Sequence, residues 1–416
     1  MVVEGSLTAR MHMVEALAAG GTVRSQSVLD AMRSVPRELF VPRFWAPVVE
    51  GGGQEVREWR PMAGDLGAET ALLLAYDVDR ALALKPPQRY PGTGQVLSTA
   101  SAPRVVGCML ELLELSPGDR VLEIGTGSGY NAALLRRLVG DTGHVTSVEI
   151  DNEVAEEAAA HLADAGCGDV EVVVGDGYHG VPEAAPFDRV VATAGCDDIA
   201  PAWLAQLGPG GQCLLPLRHG AWHPVTRAWP DGSGAQARVE APAFFVPLQG
   251  RQSAALPWPG DHRSRHHSEP RLAALPDAVA LALSRQHAGV VGADKARWNL
   301  AYLLPLEDDR AVSLLALAEG ASLAEVHQRG DRVLYSGGEG EQLKDRLVDV
   351  AEIWLSLGCP GYGDYTSRLA PVPGRPPGQR GLPRPDGRAG WEQQGRRSWT
   401  VERYDFVQTV CLERAA

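Results

Sequence analysis

Apolar side chains recur at helical spacing through residues 7–39, and the pattern breaks at VPRELFVP (residues 35–42), where two prolines interrupt it. Residues 44–67 are rich in Gly, Pro and Trp and read as an irregular insert. A second helical run covers residues 68–84 and precedes the loop KPPQRYPGTGQ. From Ser101 onward short apolar runs alternate with helical stretches, the mark of a parallel sheet covered by helices. The expected strands are 121–124, 144–150, 170–174, 189–193 and 212–217, with helices near 130–139, 152–165 and 201–207. That order predicts an α/β fold with a Rossmann-like, doubly wound sheet. Past residue 217 the rhythm stops, and helices near 275–286 and 341–357 stand among Trp-rich and Pro-rich segments. Residues 371–397 are rich in Pro, Gly and Arg and read as a mobile loop before a last strand, SWTVERYDFVQTVCLE. The predicted division is therefore 1–220, with a ligand-binding core at about 101–220, and a mixed α/β C-terminal domain at 221–416.

Length agrees with two domains, since 416 residues exceed the roughly 100–200 of a usual one. No uninterrupted apolar run approaches the ~18 residues of a membrane span, and MVVEGSLTAR lacks the basic-then-apolar layout of a signal peptide, so a cytoplasmic protein with no membrane partner is expected. A net charge of −13 argues against a nucleic-acid partner, because phosphate binding draws on a basic face. The six cysteines are scattered without a CxxC pair, and His262, His266 and His267 lack helical metal spacing, so no metal is expected.

The strongest chemical signal is VLEIGTGSGY. An apolar strand runs into Gly125, Thr126, Gly127 and Gly129, and a helix opens at Tyr130. Such glycines let backbone amides and a helix N-terminus approach a polar ligand closely. Glu149, followed by Ile150, ends the next strand about 20 residues downstream, where a ribose-binding carboxylate belongs. A nicotinamide site would have a similar outline, but it keeps the place of Glu123 apolar and sets its third glycine one residue later, to make room for a diphosphate. S-adenosylmethionine has no phosphate and carries an α-ammonium that gains from a nearby anion, a need Glu123 meets. Asp176, followed by Gly177 in GDGYHG, ends the third strand, where it is expected to accept from an adenine amino group; the plainer alternative for it is a turn aspartate.

These residues resemble the protein-L-isoaspartate O-methyltransferases. The resemblance runs through VPRELFVP, AYDVDRAL, SAPRVVGCMLELLELSPGDRVLEIGTGSGYNAALL, SVEID, VVVGDGYHG, APFDRVVATAG and LGPGGQCLLPL, about residues 30–220. It implies the class I fold of S-adenosylmethionine-dependent methyltransferases, that cofactor with S-adenosylhomocysteine as product, and a peptide or protein carrying aspartate or isoaspartate as acceptor. It also implies that the serine of the SAP motif, Ser101, lies against the acceptor carboxylate. The segment GQVLSTASAP is longer than usual for the family, so Ser98 or Thr99 competes for that place, and capping of the helix near Ala102 is the structural alternative.

Two departures bear on the substrate: the insert with its neighbouring loop, and the whole C-terminal domain. Added domains of this kind resemble the relatives associated with ribosomally made, modified peptides, which implies methylation of a chosen aspartate in a leader-guided or macrocyclic peptide, leading to aspartimide and isoaspartate. On that reading Arg375, Arg380, Arg384, Arg388, Arg396 and Arg397 attract acidic groups of the peptide. The alternative is repair of isoaspartate in damaged proteins.

Overall fold

The computed structural model describes residues 5–49, 56–61, 68–85, 98–220, 222–232, 234–246, 248–250, 271–284, 295–308, 310–313, 315–319, 321–326, 332–371, 391–393, 396–403 and 405–412. The chain forms two compact units. One comprises Met1–Cys196, Ala200–Leu215 and Phe245–Ser253; the other comprises Asp197–Ile199, Pro216–Phe244 and Ala254–Ala416. Where sequence suggested a single cut after residue 220, the chain changes unit at Pro216 and returns to the first for Phe245–Ser253.

The first unit opens with α1 (Ser6–Ala19), α2 (Gln26–Ser34), a 3-10 turn at Arg37–Leu39, β1 (Trp45–Val49), β2 (Val56–Pro61), α3 (Ala68–Ala75), β3 (Leu82–Ala83) and β4 (Thr99–Ala100). There follow α4 (Pro103–Leu113), β5 (Arg120–Ile124), α5 (Tyr130–Val139), β6 (His144–Glu149), α6 (Asn152–Asp164), β7 (Glu171–Val174), β8 (Phe187–Ala192), α7 (Pro201–Ala205) and β9 (Leu207–Pro216). Among the described residues of this unit, β9-β8-β5-β6-β7 form a parallel sheet in that order. Strands buried on both faces need apolar side chains on both, and Val121, Leu122 and Ile124 are fully enclosed. The order reverses at β5, whose neighbours β6 and β8 are reached by chain running in opposite directions across the sheet. Ligands of such sheets bind beyond the carboxyl ends of the strands at this switch point.

The insert is not irregular throughout. β1 and β2 pair as an antiparallel hairpin, Trp45 pairs with Ala83 of β3, and β3 pairs with β4 through Leu82–Ala100 and Ala83–Thr99. The segments WAPVV and VREWRP carry the β-branched and aromatic residues that suit a pleated surface, which their Gly- and Pro-rich surroundings conceal. The insert therefore extends a small sheet that ends in Thr99–Ala100.

In the second unit, strands Trp391–Gln393, Arg396–Glu402, Phe406–Leu412, Tyr365–Pro371, Gly234–Ala241 and Val225–Asp231 form an antiparallel array. A second antiparallel sheet takes Arg271–Ala274, Arg332–Ser336, Ser322–Val326, Ala316–Glu319 and Ala311–Ser313. Helices Asp277–Ser284 and Gly340–Ser356 stand where apolar spacing predicts them; Lys295–Glu307 is a further helix. Its Leu300, Ala301, Tyr302, Leu303 and Leu304 are all buried, so this run of five shows no alternation of apolar and polar faces. The tryptophans Trp222, Trp298, Trp354 and Trp399 belong to this unit's core. Arg375, Arg380, Arg384, Arg388, His262, His266 and His267 lie outside the described residues. Arg396 and Arg397 begin a strand rather than extending the expected loop. Among the described residues no helix is long and apolar enough to cross a membrane.

Candidate functional site

The loop between β5 and α5 depends on glycine at three places. Gly125, Gly127 and Gly129 have φ of 94°, 55° and 86°, a region that costs other residues backbone strain. A Cβ on Gly129 would stand 3.2 Å from the Ala158 carbonyl of α6, so the glycine also lets two helices close together. Beside this loop lies a cavity of ≈ 370 Å³. Gly125, Thr126, Gly127, Tyr130, Glu149, Ile150 and Gly177 line it, as do Ser98, Thr99 and Ser101.

Glu149 and Asp151 are carboxylates of the cavity wall, and Glu149 is the one bonded to the glycine loop. Its Oε2 accepts from the Gly127 amide at 2.9 Å, and its Oε1 from the amides of Ile150 and Asp151 at 3.0 and 3.2 Å. One side chain thus fixes the glycine loop to the end of β6. Ile150 beside it keeps 41% of its surface exposed, an apolar face for a flat ring.

Two predicted ligand carboxylates lie elsewhere. Glu123 is fully buried beneath the loop and is absent from the cavity wall; its Oε1 accepts from Asn131 Nδ2 at 2.8 Å and its Oε2 from Ser147 Oγ at 2.5 Å. Asn131 does line the cavity, so Glu123 reaches the site through it. Asp176 caps the turn Gly177–His179 by accepting from the Tyr178 amide, and Gly250 packs against its carboxylate, where a Cβ would come within 2.8 Å. The turn role is the one its geometry displays, while its neighbour Gly177 faces the cavity. Gly129 is likewise behind the wall rather than in it.

Burial raises the Glu123 carboxyl from 4.5 to about 7, against the hydrogen bonds from Ser147 and Asn131 and with a smaller push from Glu149. An unfolded chain releases this proton near 4.5 whereas the folded protein keeps it to about 7, so stability falls as pH rises between those values. The ionised group costs the folded state about 3 kcal/mol. Glu123→Gln, which can keep both hydrogen bonds, is therefore expected to raise the Tm at about pH 8 and leave it nearly unchanged at about pH 5. Calorimetric melts of both proteins at the two pH values check this.

Opposite the glycine loop lies the hydroxyl-bearing segment. Ser98 O accepts from the Leu84 amide at 2.9 Å, β4 pairs with β3, and Ser101 O accepts from Arg37 Nη2 at 2.8 Å. A Cβ on Gly127 would lie 3.7 Å from the Thr99 carbonyl, so segment and loop face each other across a narrow gap. α4 begins at Pro103 after Ala102, with no side-chain capping bond, so none of the three hydroxyls caps it.

Several wall residues carry no obvious mark in the sequence. Arg37 of VPRELFVP is fully buried and lines the cavity. Its burial holds the guanidinium below the usual arginine range. Lys85 bonds Asp151 Oδ2 at 2.7 Å, and Asp151 also caps α6; against the effect of burial, the bonds to Asp151 and Glu153 raise the lysine, and the bonds from Lys85 and the capping amides lower the aspartate. Phe245, Leu248 and Gln249 arrive from the returning segment, anchored by Gly195 N to Val246 O and Leu248 N to Gly195 O, each 2.8 Å.

The pattern that defines Protein-L-isoaspartate(D-aspartate) O-methyltransferase (PCMT) matches residues 78–253 and so takes in the returning segment. The protein of Aeropyrum pernix named protein-L-isoaspartate O-methyltransferase is 38% identical over 253 residues, covering 60% of this chain and 83% of the relative. That of Ignicoccus hospitalis is 36% identical over 240 residues, covering 58% and 96%, and that of Anaeromyxobacter dehalogenans is 40% identical over 229 residues, covering 54% and 90%. The chain belongs to the protein-L-isoaspartate O-methyltransferase family. It is a methyltransferase of the class I fold, with S-adenosylmethionine as methyl donor. About two fifths of the chain lies beyond the stretch shared with these family members.

The cavity fits this cofactor. The unhindered backbone at Gly127, the wall carboxylate of Glu149 and the exposed Ile150 suit a ligand with a ribose and a flat base but no phosphate. When bound, the cofactor supplies a methyl group activated by a sulfonium.

Proposed function

We propose that this protein transfers a methyl group from S-adenosylmethionine to the free carboxylate of an isoaspartyl residue in a peptide or protein, with Glu149, Ile150 and the Gly125–Gly127–Gly177 wall holding the cofactor and the hydroxyls of Ser98, Thr99 and Ser101 orienting the acceptor. The observation that carries the reading is the facing of the hydroxyl segment and the glycine loop in one cavity. Among the described residues the cavity wall holds no histidine, and its two carboxylates are engaged by amides and Lys85. An acceptor with a pKa near ~4 is already ionised and needs no general base. It needs alignment with the donor and exclusion of water, because opposite charges cancel as the bond forms. Hydroxyl donors orient a carboxylate without neutralising it.

The family resemblance assigns the closest approach to Ser101. Ser101→Ala is expected to lower kcat/KM roughly 10- to 100-fold, the value of one hydrogen bond to a charged group, with S-adenosylhomocysteine affinity unchanged. Kinetics with an isoaspartyl peptide, alongside Ser98→Ala and Thr99→Ala, test this; an unchanged Ser101→Ala rate with loss in another variant moves the role to that residue.

The unit beyond the shared stretch favours a second, narrower reading, in which the acceptor is an aspartate of a ribosomally made modified peptide. The next backbone nitrogen would attack the ester carbonyl, and its proton would leave with methoxide as methanol, giving aspartimide. Mass spectrometry of that peptide after incubation with enzyme and cofactor decides: methyl gain then methanol loss at one aspartate supports it, and methylation of simple isoaspartyl peptides alone rejects it.

A further inference from the structure

Arg37 is a buried cation with no carboxylate partner among the described residues, on the wall of the cavity where the acceptor segment lies. Its Nε donates to Ala75 O at 2.8 Å and its Nη2 to Ser101 O at 2.8 Å and Ala100 O at 3.5 Å, while its Nη1 is buried without a hydrogen-bond partner. The guanidinium lies 4.8 Å from the centroid of the Tyr130 ring, and the Tyr130 hydroxyl is also buried without a partner. Two orphaned donors thus come from neighbouring wall residues.

The Tyr130 ring face and the carbonyls of Ala75, Ala100 and Ser101 offset the charge in part, and none of them is an anion. The Tyr76 hydroxyl accepts from the Arg37 amide and donates to Glu38 Oε2. Arg10 nearby adds a second positive charge, with Nη1 donating to Arg33 O. An enclosed, unpaired cation is costly to fold around and is kept where a ligand completes it.

We propose that Arg37 is the seat of the acceptor carboxylate, with Nη1 donating to it beside Ser98, Thr99 and Ser101; this rests on the methyltransferase reading above. In the transfer the carboxylate oxygen forms the O–CH₃ bond as the S–CH₃ bond breaks, the electron pair stays on sulfur, and no proton moves. The anion becomes a neutral ester and the sulfonium a neutral thioether. Arg37 therefore attracts the substrate and loses its hold on the product, and it distinguishes a carboxylate from the carboxamide of the same shape. Because the cation favours the charged ground state over the charge-cancelled transition state, its contribution falls on KM rather than kcat.

The test is calorimetric titration, in the presence of S-adenosylhomocysteine, of a short isoaspartyl peptide and of its counterpart with the side-chain carboxylate amidated. The unaltered protein is expected to bind the acid roughly 10- to 100-fold more tightly than the amide. Arg37→Gln is expected to abolish that preference and Arg37→Lys to retain part of it, both still binding S-adenosylhomocysteine. Equal binding of acid and amide by the unaltered protein overturns the proposal even if the variants do not fold, and so does a preference that survives Arg37→Gln. Failure of the unaltered protein to bind S-adenosylhomocysteine would instead overturn the methyltransferase reading, and the seat with it.

Discussion

Gly127→Val is expected to lower methyl transfer by about 100-fold or more, the cost of displacing reacting groups by about an ångström. The residue has φ of 55°, and the space beside it opens toward the Thr99 carbonyl, 3.7 Å from a Cβ. A branched side chain there is strained in the left-handed region, at about 1–3 kcal/mol, and grows into the gap between cofactor loop and acceptor segment. The strain alone lowers the melting temperature by under about 10 °C, so the variant still folds. Initial rates and a thermal melt separate the two effects. Near-normal turnover would mean that methyl transfer does not run through this gap.

Glu149→Ala is expected to weaken S-adenosylhomocysteine binding about 100-fold, since hydrogen bonds to a charged group are each worth roughly 1.5–3 kcal/mol. The carboxylate gathers the amides of Gly127, Ile150 and Asp151, and its loss frees the loop as well as removing the wall anion. Glu149→Gln keeps one acceptor oxygen and is expected to fall between. Calorimetric titration of the three proteins measures the series; equal affinity across it would remove Glu149 from the cofactor site.

The sheet was legible in the sequence because its central strands β5, β6 and β8, largely enclosed, follow apolar runs, and the edge strand β7 keeps such a run, EVVV, although it is partly exposed. The glycine loop was legible because three backbone conformations there favour glycine. The hairpin β1–β2 was hidden: its strands are held by pairing with each other and with β3, partners that a local pattern does not reveal. Helix Lys295–Glu307 was hidden by its own burial and by Pro305 in its last turn.

Within the site, the sequence located residues by strand ends, and Glu149, Ile150 and Gly177 do line the cavity. It could not tell which side of the loop a carboxylate occupies: Glu123 is buried and bonded to Asn131 and Ser147, and Asp176 caps a turn through its Oδ1. Arg37 was read as part of a helix break and of a family motif, without a role of its own, because its contacts with Ala75, Ser101 and Tyr130 are all remote in sequence. Phe245 and Gln249 escaped notice because the chain returns to the first unit after leaving it.

The most direct test of the central claim is to incubate the full chain with methyl-labelled S-adenosylmethionine and a matched pair of peptides that differ only in one aspartyl or isoaspartyl linkage. A base-labile methyl ester on the isoaspartyl peptide, formed in step with S-adenosylhomocysteine, is the expected result. Label on neither peptide, or at equal rates on both, would contradict it.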